Sequence, residues 1–64
     1  MKIGDLVRFK VDEDYWDRLY SVRIGDLILI LKVCLGEEIN VYKGLHQKTG
    51  RKLMFVPQHL EKVS

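Results

Sequence analysis

Few side chains of this sequence could take part in covalent chemistry. The candidate nucleophiles and bases are Ser21, Cys34, His46, Thr49, His59 and Ser64. A hydrolytic triad needs a nucleophile, a base and an orienting acid within hydrogen-bonding reach, and none of these residues lies in a motif that specifies such a cluster. Cys34 lies in an apolar run, where a thiol is usually buried and unreactive. We therefore predict a protein without enzymatic activity.

The cysteine and the two histidines are also the candidate metal ligands. They are spread over three predicted elements, without the Cys-x-x-Cys or His-x-x-x-His spacing of common zinc sites. No glycine-rich run precedes a helix, so a phosphate-binding loop is not predicted either. We expect neither a metal nor a cofactor, and we expect His46 and His59 at the surface.

The segment DEDYWDRLY, residues 12–20, combines four carboxylates with three aromatic rings. Carboxylates attract a basic or arginine-containing segment, and exposed Trp and Tyr side chains often anchor protein interfaces. This composition predicts protein binding by Asp14, Tyr15, Trp16 and Asp17. An alternative stays open, in which Trp16 and Tyr20 fill the core of a domain this small.

The segment KGLHQKTGRK, residues 43–52, holds four basic residues and no acidic one. Basic side chains supply affinity for phosphate, and a nearby aromatic ring can stack on a base. Nucleic-acid binding is therefore the alternative function. Its predicted residues are Tyr42, Lys43, Lys48, Arg51 and Lys52.

Glycines and a single proline divide the chain into pieces of strand length. Alternation of apolar and polar residues predicts a first strand over residues 6–10, with Val7, Phe9 and Val11 facing inward. The predicted elements that follow are an irregular segment at 12–21 with one helical turn capped by Asp12, strands at 27–35, 39–45 and 51–56, a 3-10 turn at 57–60 and a closing strand at 60–63.

The segment LILILKVCL, residues 27–35, is the strongest predicted strand, and both of its faces are apolar as far as Leu31. Only one face stays apolar beyond that point, which predicts that this face points into the core. Its members are Leu27, Leu29, Leu31, Val33 and Leu35. Ile28 and Ile30 would then need a cover, which could be a neighbouring loop, a bent strand shared by two sheets or another chain. Left uncovered within the chain, they would form an apolar strip, and such a strip usually marks an interface with a partner protein or a second copy.

The step Ile-Gly-Asp-Leu occurs twice, in KIGDLVRF from Lys2 and in RIGDLILIL from Arg23. Glycine permits a tight turn, and the aspartate can accept a hydrogen bond from a nearby backbone N–H. The leucine would begin the buried face of each strand. No third copy follows, so we interpret the step as a turn that starts two strands.

Length and composition favour one globular domain over residues 1–64, with a net charge of +2 and 47% hydrophobic residues. One cysteine cannot form an internal disulfide, and the first residues lack the pattern of a signal peptide. The longest apolar run is far below the roughly 20 residues of a membrane helix. We expect a complete cytoplasmic protein.

The order of the predicted elements resembles the SH3-like barrel. Two stretches, KIGDLVRF at residues 2–9 and FVPQHLEKV at residues 55–63, are similar to those of small SH3-like proteins encoded by bacteriophages, including phages of cyanobacteria. The resemblance implies a five-stranded all-β barrel and a phage-encoded accessory protein, located in the host cytoplasm or the virion. Its partner would be itself, a virion component or a host protein.

Overall fold

The computed structural model describes residues 1–63 and contains five strands. They are β1 (Leu6–Phe9), β2 (Leu27–Cys34), β3 (Val41–His46), β4 (Lys52–Phe55) and β5 (Leu60–Lys62). One helix, α1 (Asp14–Tyr20), lies in the long β1–β2 connection, and a 3-10 turn (Pro57–His59) precedes β5. The predicted all-β architecture of five strands, with a long first connection and a 3-10 turn before the last strand, is confirmed. In the described part of the chain, no helix is long and apolar enough to cross a membrane.

The strands form a single antiparallel sheet in the order β4-β3-β2-β1-β5. Two strands separate β1 from β4, which would put them about 14 Å apart in a flat sheet. The ring centroids of Phe9 in β1 and Phe55 in β4 are nevertheless only 5.8 Å apart. The sheet is therefore strongly curled, and its concave face encloses the core.

The core is built from the concave face and closed by α1. Its buried apolar residues are Val7, Phe9, Trp16, Val22, Ile28, Ile30, Tyr42, Phe55 and Leu60. The indole ring of Trp16 stacks on the ring of Phe55, with 5.5 Å between centroids and 16° between planes. Trp16 therefore fills the core, as in the alternative interpretation, and the prediction that it is an exposed interface anchor is wrong.

Helix α1 has seven residues, about two turns rather than the one predicted. Its N-cap is Glu13, whose side chain makes no capping hydrogen bond, so the predicted cap at Asp12 is wrong. Its C-cap is Ser21, which is in the left-handed conformation and donates its N–H to the carbonyl of Asp17 at 3.0 Å.

A β-bulge at Leu31 decides which face of β2 is buried. The register pairs Ile30 with Gly44 and Lys32 with Lys43, so the intervening Leu31 has no partner on β3. An extra residue of this kind shifts the alternation of all side chains beyond it by one position. The two halves of β2 therefore follow opposite alternation patterns.

The prediction for the faces of β2 is wrong for its first half. Ile28 and Ile30 are completely buried, whereas Leu27 is 38% exposed. Val33, beyond the bulge, packs against the core as predicted, but Leu35 lies past the end of β2 and is exposed. The proposed binding strip of Ile28 and Ile30 is therefore excluded, because these side chains form the core.

The two Ile-Gly-Asp-Leu steps form the same turn. Gly4 and Gly25 have φ angles of 90° and 92°. In each copy, the N–H of the aspartate donates to the carbonyl of the basic residue three positions earlier at 3.0 Å. The carboxylate of that aspartate accepts the N–H of the same basic residue, also at 3.0 Å. This is a type II turn, which needs a positive φ at its third residue and so favours glycine there.

A local two-fold relation between β1 and β2 explains the repeat. The N–H of Gly4 donates to the carbonyl of Ile30 at 2.8 Å, and the N–H of Gly25 donates to that of Phe9 at 2.7 Å. Each turn therefore begins one strand and binds the other strand, at Ile30 in the middle of β2 and at Phe9, the last residue of β1. The predicted turn is confirmed, but the leucine of each copy is exposed, so the buried face begins one residue later than predicted.

The buried face of β2 can be tested by a matched pair of alanine substitutions. Ile30→Ala should lower the free energy of unfolding by about 2–5 kcal/mol, because it leaves a cavity in the core. Leu27→Ala should cost less than half as much, because that leucine already contacts water. Urea unfolding followed by tryptophan fluorescence would measure both values. Equal costs would contradict the assignment. If Ile30→Ala does not fold, Ile30→Val offers a milder comparison at about 0.5–1.5 kcal/mol.

Candidate functional site

His46 in β3 is completely buried and is hydrogen-bonded at both ring nitrogens. Its Nε2 lies 2.7 Å from Oδ2 of Asp26, and its Nδ1 lies 2.7 Å from Oγ1 of Thr49. Because the Asp26 carboxylate only accepts, Nε2 carries the proton, and in the neutral ring the Thr49 hydroxyl donates to Nδ1. The prediction of a surface His46 is therefore wrong, since the alternation of β3 places it on the concave face with Tyr42 and Gly44.

The side chains of Asp26, His46 and Thr49 form a hydrogen-bonded network, and backbone N–H groups donate to both of its ends. The N–H of Arg51 donates to Oγ1 of Thr49 at 3.3 Å, and the N–H of Arg23 donates to Oδ2 of Asp26 at 3.0 Å. No buried side-chain nitrogen or oxygen in residues 1–63 lacks a partner. The network therefore joins the second Ile-Gly-Asp turn to the β3–β4 hairpin. Sequence reasoning missed Asp26, although its place in the repeat was a signal for a structural role.

Thr49, His46 and Asp26 carry the three groups of a hydrolytic triad in the order in which a triad bonds them. The base of a triad must also contact the substrate, so part of its ring must be open to the active site. His46 has no exposed surface, and both of its nitrogens are engaged within the protein. This arrangement favours a structural role. Ser64 lies outside the described residues.

The Asp26 carboxyl is held in its charged form by its hydrogen bonds. Burial alone would raise the pKa of Asp26, but the N–H of Arg23, the hydrogen bond from His46 and the charge of Lys48 together hold it below the ordinary value of 3.8. A carboxyl whose pKa is lower in the folded than in the unfolded chain stabilises the fold above the unfolded pKa. That stabilisation is lost as the pH falls through the folded value.

Asp5 and Asp26 offer a matched comparison, because they make the same turn and only Asp26 binds His46. Asp26→Ala should lower the free energy of unfolding by about 1–3 kcal/mol more than Asp5→Ala, because it leaves a buried imidazole N–H without a partner. This excess should begin to shrink as the pH falls below 3.8, because the unfolded chain then takes up a proton that the folded Asp26 carboxyl resists. Chemical denaturation at pH 7 and pH 3 would measure it. An equal cost at pH 7 would contradict the structural role of the network.

His59 lies half-buried at the end of the 3-10 turn, so it is only partly at the surface, where it was predicted. Its ring centroid is 5.1 Å from that of Trp16 and 6.1 Å from that of Phe9. Its Nδ1 accepts the N–H of Val56 at 3.3 Å, which requires an unprotonated Nδ1. Burial lowers the pKa of His59 below 6.5, and the charge of Glu13 offsets this only in part. The folded protein therefore favours the neutral ring.

The lowered pKa of His59 predicts a pH-dependent stability. The free energy of unfolding should fall as the pH drops below 6.5, because the unfolded chain takes up a proton that folded His59 resists. His59→Phe keeps an aromatic ring in place and should make the stability curve flatter between pH 7.5 and pH 5. Urea unfolding across this range is the measurement. The same slope in the variant and in the wild type would show that His59 is not the responsible group.

An acidic groove of about 280 Å³ lies between α1 and the turn before β2. Among its lining residues, Asp12, Glu13 and Asp14 carry carboxylates that form no ion pair with any described residue. Asp17 is paired with Arg23, whose Nε lies 3.1 Å from its Oδ1. We call this feature, which also includes Ile24 with 57% of its surface exposed, the acidic groove.

The residues predicted for protein binding have separate positions in the structure. Asp14 and Asp17 line the acidic groove. Tyr15 is 49% exposed but does not line the groove, and Trp16 is in the core. The spacing of Trp16 and Tyr20, one helical turn apart, was the signal that α1 has an inward face. Ile24, which adds apolar surface to the groove, was missed by sequence reasoning.

The structure also separates the five residues predicted for nucleic-acid binding. Tyr42 is 6% exposed and points into the core, so it offers no ring for stacking on a base, and that part of the prediction is wrong. Lys43 and Lys52 are on the convex face of the sheet. In the strand pairing, their positions alternate with those of the residues that face inward. Lys48 lies in the β3–β4 hairpin, and Arg51 follows it just before β4. The five residues therefore do not form one surface, because Tyr42 lies in the core.

In the part of the chain that the structure describes, no three His, Cys, Asp or Glu side chains cluster as metal ligands would. Comparison of the chain with protein-family models, curated proteins and solved structures found no match. A functional proposal therefore depends on the surfaces described above.

Proposed function

We propose that this chain is a non-catalytic binding domain whose acidic groove holds a basic segment or surface of a partner protein. The observation that carries the proposal is the convergence of three carboxylates, those of Asp12, Glu13 and Asp14, beside the exposed side chain of Ile24. None of the three forms an ion pair with another described residue. They are therefore free to pair with a cation from outside.

The chemistry of the groove suits arginine or lysine. Neighbouring carboxylates repel one another, and a bound cation relieves this repulsion. A guanidinium can bond two carboxylate oxygens at once, and its aliphatic stem can lie on the apolar surface of Ile24. Arg23 and Asp17 already form one such guanidinium–carboxylate contact at the edge of the same groove, with 3.1 Å between Nε and Oδ1.

The resemblance to phage-encoded SH3-like proteins supports a narrower form of this proposal. The chain would be an accessory protein that acts in the cytoplasm of the host cell or in the virion. Its partner would then be a virion component, a host protein or a second copy of itself. The absence of an exposed Tyr42 makes nucleic acid the less supported partner.

Titration with a hexa-arginine peptide tests the groove. Glu13→Gln combined with Asp14→Asn should weaken binding about tenfold, equivalent to about 1.4 kcal/mol, because two groove carboxylates are lost. Calorimetry at 0.05 M salt would measure the affinity. The matched control is Glu37→Gln with Glu38→Gln, which removes the same charge from two exposed residues outside the groove. Equal weakening by both pairs would show general charge attraction and contradict the proposal.

A further inference from the structure

The convex face of the sheet has an uncovered apolar row. Leu6 on β1 is directly opposite Leu29 on β2, and Leu29 is directly opposite Leu45 on β3. Val63, one residue past β5, lines a shallow groove together with Leu6 and extends the row. Leu6 and Val63 are 43% and 41% exposed, and Leu29 and Leu45 are half-buried. We call these four residues the apolar row.

Three lysines lie on the same convex face beside the apolar row. Lys32 is directly opposite Lys43, and Lys52 is directly opposite Leu45. Like charges at directly opposite positions of neighbouring strands are destabilising. No described carboxylate forms an ion pair with any of these three lysines. Apolar surface beside uncompensated positive charge is complementary to a partner that is acidic and partly apolar.

The chain itself presents such a surface. The acidic groove combines the unpaired carboxylates of Asp12, Glu13 and Asp14 with the exposed side chain of Ile24. It lies at α1 and the turn before β2, whereas the apolar row and the three lysines lie on the sheet. The two surfaces of one molecule are therefore separate, opposite in charge and both partly apolar.

We propose that the acidic groove of one copy binds the apolar row and the three lysines of a second copy. The inference rests on the proposed function, since it names the basic surface that the groove holds. Packing two apolar rows face to face would instead place the lysines of both copies in one interface, where they repel. The charges therefore favour a head-to-tail contact, which leaves one free surface at each end and allows further copies to add.

The test uses two variants that each lose one half of the contact. The sheet variant, Lys32→Glu with Lys52→Glu, keeps the groove. The groove variant, Glu13→Gln with Asp14→Asn, keeps the sheet surface. The wild-type weight-average mass, from sedimentation equilibrium up to about 1 mM, should rise beyond that of a dimer. Each variant alone should associate at least tenfold more weakly, because one surface of every contact is missing.

An equimolar mixture of the two variants is the decisive sample. The intact groove of the sheet variant can bind the intact sheet surface of the groove variant, but no further copy can add at either end. The mixture should therefore form dimers and stop there. The control, Lys2→Glu with Lys10→Glu, makes the same charge change as the sheet variant at exposed positions outside the row and the groove lining, and it should associate as the wild type does.

Several results would overturn this inference. A wild-type protein that stays monomeric at 1 mM would do so, as would a mixture that forms no dimer. A closed wild-type dimer that survives in the groove variant would indicate face-to-face packing instead. If the wild-type mass increases only with an added thymidine 20-mer, and the sheet variant loses this response, the convex face binds nucleic acid. In each case, hexa-arginine binding by the same wild-type sample shows separately whether the proposed function of the groove survives.

Discussion

The register between β2 and β3 is the constraint on which the rest of the structure depends. It places Gly44 opposite Ile30, where a side chain at position 44 would collide with Ile28 and press on the ring of Phe55 at 3.2 Å. Because Gly44 has no side chain, there is room for Ile28 and Phe55 inside the curled sheet. With both isoleucines inside and the bulge following them, the leucines of the first half of β2 must face outward. The apolar row on the convex face is a consequence of this packing.

The same register brings a histidine into the interior, and a buried imidazole needs partners for both of its nitrogens. Asp26 and Thr49 supply them, from a turn and a hairpin that lie on either side of His46 in space. The two copies of the Ile-Gly-Asp turn therefore differ in what they hold. In the first, the carboxylate closes only its own turn, whereas in the second it also anchors β3.

Charges of opposite sign lie on different surfaces of this molecule. Although the net charge is only +2, the molecule has an acidic region at α1 and a group of lysines on the convex face. Because the interior is filled by aromatic and aliphatic side chains, the proposed binding depends on these outer surfaces. Electrostatic complementarity would speed and orient an encounter, and the neighbouring apolar side chains would hold the complex together.

The sequence by itself determined the local features: strand-length pieces, the two glycine turns, the 3-10 turn that begins at Pro57 and the clustering of Asp14 with Asp17. These depend on backbone preferences of glycine and proline and on spacing within a few residues. Only the tertiary structure decided which face of β2 is buried, because both faces are apolar and the bulge arises from pairing with β3. It also decided the burial of Trp16 and the partner of His46, Asp26, which is 20 residues away. Contacts between distant segments depend on how the sheet curls, and that curl is a property of the assembled strands.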